Sequence, residues 1–310
     1  MTVLAQFASG QAYPNKPIRF VVPFQAGGGA DFVGTTIQKK LAEALKQPVV
    51  LDHRPGAAGV TGAELIAKAT PDGYSLLIGG LSTMSIQPAT NPRLPYNPFL
   101  DFASIGRLVV NPLILVVHPA LSVTSVTDLV ALAKSKPGQI IYGSTGLGGT
   151  QHLAMEWLKL ATGINVVHSP FDGGAPARAA LFAGEISAYF SGVPGALPHV
   201  KSGKLKALAV SSSKRWSALP EVPTVAESGV PGFECVVWYG LFAPAKTPTD
   251  IVGKLNAEVV KVLKHPETTQ QFTARGAEPT PSTPEALAQY LREDHERWKK
   301  VIKTTGIKLN

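Results

Sequence analysis

The sequence has one cysteine, no long apolar run and no grouping of metal-binding side chains. Cys235 stands alone among 310 residues, which excludes a disulfide framework and any cysteine-based metal cluster. We expect it to be a small buried hydrophobic side chain. No apolar stretch approaches the roughly 18 residues of a membrane-spanning helix. The seven histidines show no H-E-x-x-H or related spacing, so we predict that no metal ion is bound.

Charged residues are also scarce, at 16% of the chain, and the basic ones are scattered. The 29 Lys and Arg against 21 Asp and Glu give a formal charge of +8, which attracts anions to the surface. The longest basic run is the Lys299-Lys300 pair, and no helical segment shows a basic face interleaved with aromatic residues. We therefore predict a small anionic solute as the partner, and no nucleic acid.

The first twelve residues lack the positively charged start of a signal peptide, and their apolar run is too short for an intact one. Val3-Leu4-Ala5 nevertheless resembles the end of such a peptide. We expect that a signal peptide is absent or has been trimmed from this chain.

What the sequence does contain is a regular alternation of strand-like and helix-like segments. Its first part indicates strands at 18–23, 49–52 and 74–78, with helices at 32–45 and 62–69 between them. Short connections of this kind build a parallel sheet with right-handed crossovers. Ligands of such sheets bind at the carboxyl ends of the strands, so we expect the site there.

A second α/β set follows, and the length of the chain favours two domains. We predict two α/β lobes joined by crossing strands near 105–118 and 232–243, with a ligand cleft between them. Domain I comprises residues 1–106 and 232–310, and domain II comprises residues 107–231. The further predicted elements are strands at 140–142, 166–168, 186–190, 207–210 and 236–242, and helices at 126–134, 153–161, 177–183, 248–263 and 284–304.

Two glycine-rich turns each connect a strand to a helix. The first contains Gly27-Gly28-Gly29, and the second runs from Gly143 to His152. Glycines let the backbone approach a ligand closely, and a helix start presents unpaired N–H groups and the positive end of its dipole. A carboxylate or phosphate is the natural ligand of such a turn, and two turns suggest that it is held from two sides.

The sequence lacks the motifs of a nucleotide-binding enzyme. Phe32 and Gln151 occupy the third glycine position of the dinucleotide-binding fingerprint, and neither turn ends in Gly-Lys-Ser or Gly-Lys-Thr. His152 could be a base, but no nucleophile of recognisable context accompanies it, and packing near the cleft explains it as well. Asp31 either binds a ligand or caps its own helix. We predict a binding protein without cofactors, with an α/β enzyme acting on a small anionic substrate as the alternative.

Six motifs in a fixed order resemble the substrate-binding proteins of tripartite tricarboxylate transporters, also called Bug receptors. The resemblance covers residues 14–310. It implies a monomeric periplasmic receptor with a two-lobed, periplasmic-binding-protein-like fold, which closes on a small carboxylate and delivers it to a membrane transporter without catalysis. The motifs are PFQAGGGAD at 23–31, RPGA at 54–57, DGY at 72–74, GSTGLGGTQHL at 143–153, GGAP at 173–176 and PEVPT at 220–224.

The resemblance also implies which residues bind the ligand. Four loops carry most of them, and Ser191 is added from a strand. The full set is Phe24, Gln25, Ala26, Gly27, Gly28, Asp31, Ser82, Thr83, Ser144, Thr145, Gly148, Thr150, Gln151, His152, Phe171, Ala175 and Ser191.

Two departures from the family bear on the kind of carboxylate. Members commonly carry Asp where this chain has Ser187 and Tyr where it has Phe171. Losing a carboxylate and a phenol favours an anion with a hydrophobic middle, such as an aliphatic or aromatic dicarboxylate like terephthalate, over an amino acid. The alternative is that Ser187 is buried in its strand and never meets the ligand.

The two glycine turns also predict how the carboxylate is held. We expect the backbone N–H groups of Gly27 and Gly28 to donate hydrogen bonds to the negatively charged carboxylate. Hydroxyls such as those of Ser144 or Thr150 should donate to it from across the cleft. Under this hypothesis no Arg or Lys touches the ligand.

Overall fold

Strands and helices alternate along most of the chain. The computed structural model describes residues 13–305, so the expected remnant of a signal peptide at 3–5 lies outside the described residues. The strands are β1 (Ile18–Val22), β2 (Val49–His53), β3 (Ser75–Gly80), β4 (Phe102–Val117), β5 (Ile141–Ser144), β6 (Val167–Pro170), β7 (Ala188–Gly192), β8 (Lys206–Val210), β9 (Val236–Pro244) and β10 (Glu278–Pro279). The α-helices are α1 (Gly29–Leu45), α2 (Val60–Ala67), α3 (Gln87–Thr90), α4 (Val126–Ser135), α5 (Thr150–Thr162), α6 (Gly174–Phe182), α7 (Val193–Lys201), α8 (Thr249–Lys264), α9 (Pro266–Ala274) and α10 (Pro284–Thr305), with a 3₁₀ turn at Ala57–Gly59 and a π-helix at Leu81–Ile86.

The strands form two groups that share the long strand β4. In the first lobe the order is β2-β1-β3-β9-β4, and β1 is parallel to both β2 and β3. In the second lobe the path continues as β4-β7-β5-β6, with β5 parallel to β6 and β7, while β8 pairs with β4. Each lobe therefore has parallel strands with helical connections, beside antiparallel strands that link the lobes.

Strand β4 passes from one lobe to the other without a break. Its residues from Phe102 to Pro112 pair with β9, and those from Leu113 to Val117 pair with β7. The change of partner lies at Pro112–Leu113, whereas the predicted domain boundary is at 106/107; the division into domains stays a prediction.

Helix α1 shows why this sequence forms these elements. Val33, Ile37 and Leu41 follow one another at intervals of four residues and are buried, so one stripe of the helix packs on the sheet. Neighbouring β1 is apolar along nearly its whole length, which is typical of a central parallel strand covered on both faces. No helix in the described part of the chain has the length and apolar character needed to cross a bilayer.

The predicted helices after the glycine turns begin about one turn earlier than expected. Helices α1, α5 and α6 start at Gly29, Thr150 and Gly174, directly after the glycines Gly28, Gly149 and Gly173. Helices α3, α7 and α9, the π-helix and strand β10 were not predicted, whereas β4 corresponds to the crossing strand expected near 105–118. Pro194 and Pro198 lie within α7, and prolines in this spacing are not typical of a helix, so the sequence does not indicate one.

Candidate functional site

An inner cavity of about 50 Å³ lies between the two lobes at the carboxyl ends of the parallel strands. The N-terminal residues of α1, α5, α6 and α7 line it, together with the start of the π-helix. The first backbone N–H groups of a helix have no partner within it, so several unpaired donors and positive dipole ends meet here. Within residues 13–305, no Asp or Glu lines this cavity. The arrangement favours an anion.

On the first-lobe side, Gly28, Gly29 and Ala30 line the inner cavity beside the ring of Phe24. Gly28 is the N-cap residue of α1, with no side chain to satisfy the first N–H groups. Glycine at position 29 lets the Tyr239 side chain lie close to the start of α1, because a Cβ atom there would be only 2.5 Å from the Tyr239 hydroxyl oxygen. The predicted residues Phe24 and Gly28 therefore lie at the cavity.

Ser82 and Thr83 also line the inner cavity, but their hydroxyls already have partners in the first lobe. Ser82 Oγ donates to the Ala58 carbonyl at 3.1 Å, and Thr83 Oγ1 accepts from the Gly80 N–H at 3.1 Å. The first bond holds the π-helix against the 3₁₀ turn at Ala57–Gly59, and the second caps the start of the π-helix. A π-helical turn is often found at functional sites.

The second-lobe side is formed by Thr145, Thr150 and Gln151. Thr150 is the first residue of α5 and is 3% exposed, and its hydroxyl has no hydrogen-bond partner among the described residues. Gln151 accepts a hydrogen bond from Thr145 Oγ1, which leaves its amide NH₂ available. This wall can donate to a carboxylate.

Asp31 was predicted either to bind a ligand or to cap its own helix. Its Oδ2 accepts from the Gly27 N–H at 2.7 Å, and its Oδ1 lies 2.7 Å from His53 Nε2. Both oxygens thus stabilise the glycine turn, and Asp31 does not line the inner cavity. This is not the predicted cap, because the N-cap residue of α1 is Gly28 and no side chain caps the helix. The bond also occupies the Gly27 N–H, which was expected to bind the ligand.

Ser144 and His152 lie behind the second-lobe wall rather than at its surface. Ser144 Oγ is 2.6 Å from His168 Nε2, and His152 Nδ1 accepts from the Gly148 N–H at 3.1 Å. The two histidine rings stack with centroids 4.1 Å apart, on the ring of Tyr142. Burial, and then the neighbouring His168, lower the pKa of His152 to about 4. These side chains shape the loop, and Ser144 is not an accessible nucleophile because it is fully buried.

Three predicted residues line a second, outer cavity of about 910 Å³ at the same cleft: Gln25, Gly148 and Phe171. Ala26, Ala175 and Ser191 line neither cavity. Ser191 is fully buried, and its hydroxyl is directed to the Gly192 carbonyl at 3.4 Å.

The two lobes touch across the cleft. Gln87 of the first lobe donates from Nε2 to the Leu147 carbonyl of the second at 3.3 Å, and Arg178 of the second donates from Nη2 to the Gly27 carbonyl at 2.7 Å. A Cβ atom on Gly27 would lie 3.2 Å from the Ala175 Cβ.

Sequence reasoning missed several residues of the inner cavity wall. Arg178, Tyr189 and Tyr239 line it, and so do Asn111 and Pro194. Arg178 brings a guanidinium to this wall, whereas the sequence hypothesis expects no Arg or Lys to touch the ligand; that hypothesis stays a prediction. Its position depends on how α6 packs beside the starts of α1 and α7, which residue spacing does not reveal. The signal in the sequence was the basic residue two positions after the GGAP motif.

Ser187 lies away from both cavities. It precedes β7, at the end of that strand remote from Gly192, and lines neither cavity. Ser187 is half-buried rather than buried in a strand, and its distance from both cavities favours the alternative that it does not meet the ligand. Cys235 is 1% exposed, as expected. Among the described residues, no group of His, Cys, Asp and Glu could hold a metal ion.

The chain has the architecture of a solute-binding receptor. Two α/β lobes face each other across a cleft, and helix N-termini line a cavity in which the described residues include no acidic side chain. The family model described as "tripartite tricarboxylate transporter family receptor" matches residues 33–307. The chain belongs to this family. This membership confirms the predicted resemblance. It also confirms the prediction of a binding receptor rather than an enzyme.

Individual relatives agree with this assignment. Protein BugT of Bordetella pertussis is 34% identical over 307 residues, which is 99% of this chain and 94% of the relative. Among solved structures, "R. palustris Rpa4515 with adipate" is 35% identical with a TM-score of 0.92, covering 96% of this chain and 99% of that one. MatC from Rhodopseudomonas palustris with bound malate is 32% identical with a TM-score of 0.90, covering 94% and 100%. These similarities confirm the predicted two-lobed fold.

Proposed function

We propose that this receptor is periplasmic and binds a small dicarboxylate, aliphatic or aromatic, in the inner cavity between its lobes. The observation that carries the proposal is the convergence of four helix N-termini on a cavity without any Asp or Glu. A carboxylate there would accept hydrogen bonds from N–H groups that have no other partner. The adipate and malate bound by two structural neighbours are both dicarboxylates, which supports this class of ligand.

A thermal-shift panel tests the ligand class. The panel contains adipate, malate and terephthalate, with hexanoate, glutamate, NAD and NADP for comparison. A ligand at about 100 times its Kd should raise the free energy of unfolding by about 2.7 kcal/mol. We expect at least one dicarboxylate to raise the melting temperature and neither dinucleotide to do so. Stabilisation by a dinucleotide and by no carboxylate would support the alternative enzyme instead.

The second part of the proposal is delivery of the ligand to the membrane components of a tripartite tricarboxylate transporter. Family membership supports this role. Deleting the gene in its host should abolish uptake of the radiolabelled dicarboxylate found in the panel, and the wild-type gene should restore it. A matched complementing gene carries Thr150→Val, which removes one hydroxyl from the cavity wall, and should restore uptake poorly at low solute concentration. Undiminished uptake in the deletion strain would contradict the delivery role.

A further inference from the structure

Arg178 lies on α6 with its guanidinium at the wall of the inner cavity. Nη2 donates to the Gly27 carbonyl across the cleft at 2.7 Å. On the other side the group lies against the first turn of α7, where a Cβ atom on Gly195 would be only 2.5 Å from Nη1. Glycine at 195 therefore provides the space that the guanidinium occupies. Of the five N–H donors of an arginine, the bond to Gly27 uses one.

The charges around Arg178 are unbalanced. No ion pair joins it to a carboxylate in the described part of the chain, and no acidic residue lines the cavity. It lies instead beside the N-termini of α1, α6 and α7, whose dipoles point their positive ends at the same space. A cation among positive helix ends is stabilised when an anion joins them.

A buried hydroxyl provides an independent observation at the same place. Tyr189 is 1% exposed and lines the inner cavity, and its hydroxyl oxygen would lie 3.4 Å from a Cβ atom on Gly174 at the start of α6. No hydrogen bond to this hydroxyl is formed by any group in residues 13–305. A buried polar group without a partner is costly, and a ligand oxygen would satisfy it.

We propose that Arg178 and Tyr189 form a subsite for one carboxylate of a dicarboxylate, and so select dicarboxylates over monocarboxylates. The inference rests on the proposed function, because it assumes that a carboxylate enters the inner cavity. The other carboxylate binds the remaining helix starts and Thr150. Arg178 is thus a specificity-determining residue that the ligand contacts directly.

Calorimetric titration with adipate and hexanoate tests this subsite, because the two acids have the same chain length and differ by one carboxylate. The variants are Arg178→Gln and Tyr189→Phe. Their matched controls are Lys201→Gln, which removes a positive charge from the surface end of α7, and Tyr13→Phe, which removes a hydroxyl bonded to the Gly73 carbonyl away from the cavity. Melting temperatures without ligand are recorded for all of the proteins.

We expect Arg178→Gln to weaken adipate binding roughly ten- to hundredfold and hexanoate binding much less, since only adipate loses hydrogen bonds to a charged group. Tyr189→Phe should weaken adipate binding in the same direction, while both controls bind adipate as the wild type does. Equal losses for the two acids would show that Arg178 acts only as a contact between the lobes, and would overturn the subsite. An unchanged adipate affinity would overturn it as well. If the wild type binds neither these acids nor any other carboxylate of the panel, the proposed function itself fails.

Discussion

Replacing Thr150 by valine removes one hydroxyl from the cavity wall with little change in shape. Thr150 is the first residue of α5, is 3% exposed, and its hydroxyl has no partner within residues 13–305. If that hydroxyl donates to a bound carboxylate, its loss costs the free energy of a hydrogen bond to a charged group, about 1.5–3 kcal/mol. The Kd for adipate should therefore rise by roughly ten- to a hundredfold. The melting temperature without ligand should hardly change, because no internal bond is broken.

Calorimetry at one temperature and ionic strength measures this change. The matched control is Thr268→Val, which removes a fully buried hydroxyl that also has no partner but lies in α9. We expect the control to bind adipate with wild-type affinity. If Thr150→Val also binds with wild-type affinity while the wild type binds tightly, the start of α5 does not hold the ligand.

Three further predictions concern the glycine turn, pH and motion of the lobes. Gly28→Val should raise the Kd more than tenfold by placing methyl groups in the cleft. Gly28→Ala, whose Cβ would lie 3.5 Å from the nearest atom, and Lys201→Gln should bind far better, as affinity measurements can check. The pKa of His152 is lowered from 6.5 to about 4, so the unfolded state binds the proton more readily than the folded state does. The contribution of His152 to the free energy of unfolding is therefore fully present above pH 6.5 and is lost as the pH falls toward 4. The slope should reach at most about 1.4 kcal/mol per pH unit, and His152→Gln should flatten it in denaturant titrations. Small-angle scattering should show compaction on adding a tight ligand, and an unchanged radius of gyration would contradict closure of the lobes.

Much of the fold could be predicted because local patterns determine it. Glycine turns followed by apolar residues at helical spacing predicted α1, α5 and α6 and hence three loops of the site. Helix α7 was missed because Pro194, Gly195 and Pro198 oppose a helix locally, and its formation depends on packing against β4 and β7. Strand β4 was expected near 105–118 and begins three residues earlier, at Phe102, where its pairing with β9 involves residues distant in sequence and its register shifts twice.

The residues of the cavity wall also divide into those that local sequence predicts and those that tertiary packing brings there. Gly28 and Thr150 lie at helix starts, where their role follows from local backbone geometry. Arg178, Tyr189 and Tyr239 come from α6, β7 and β9, and only the packing of the lobes brings them to one cavity. Ser144 and His152 sit in the predicted loop but face inward, because the stack with His168 buries them. Sequence spacing identified the loops, and tertiary packing decides which side chains face the ligand.

The most direct test of the account is a crystal structure with the dicarboxylate that stabilises the protein most. We expect one carboxylate within hydrogen-bond distance of the N–H groups at Gly28 and Gly29 or of Thr150 Oγ1, and the other beside the Arg178 guanidinium. The ligand should lie in the inner cavity, with the lobes closed around it. Density for the ligand in the outer cavity or on surface lysines, with the helix starts solvated, would contradict the central claim.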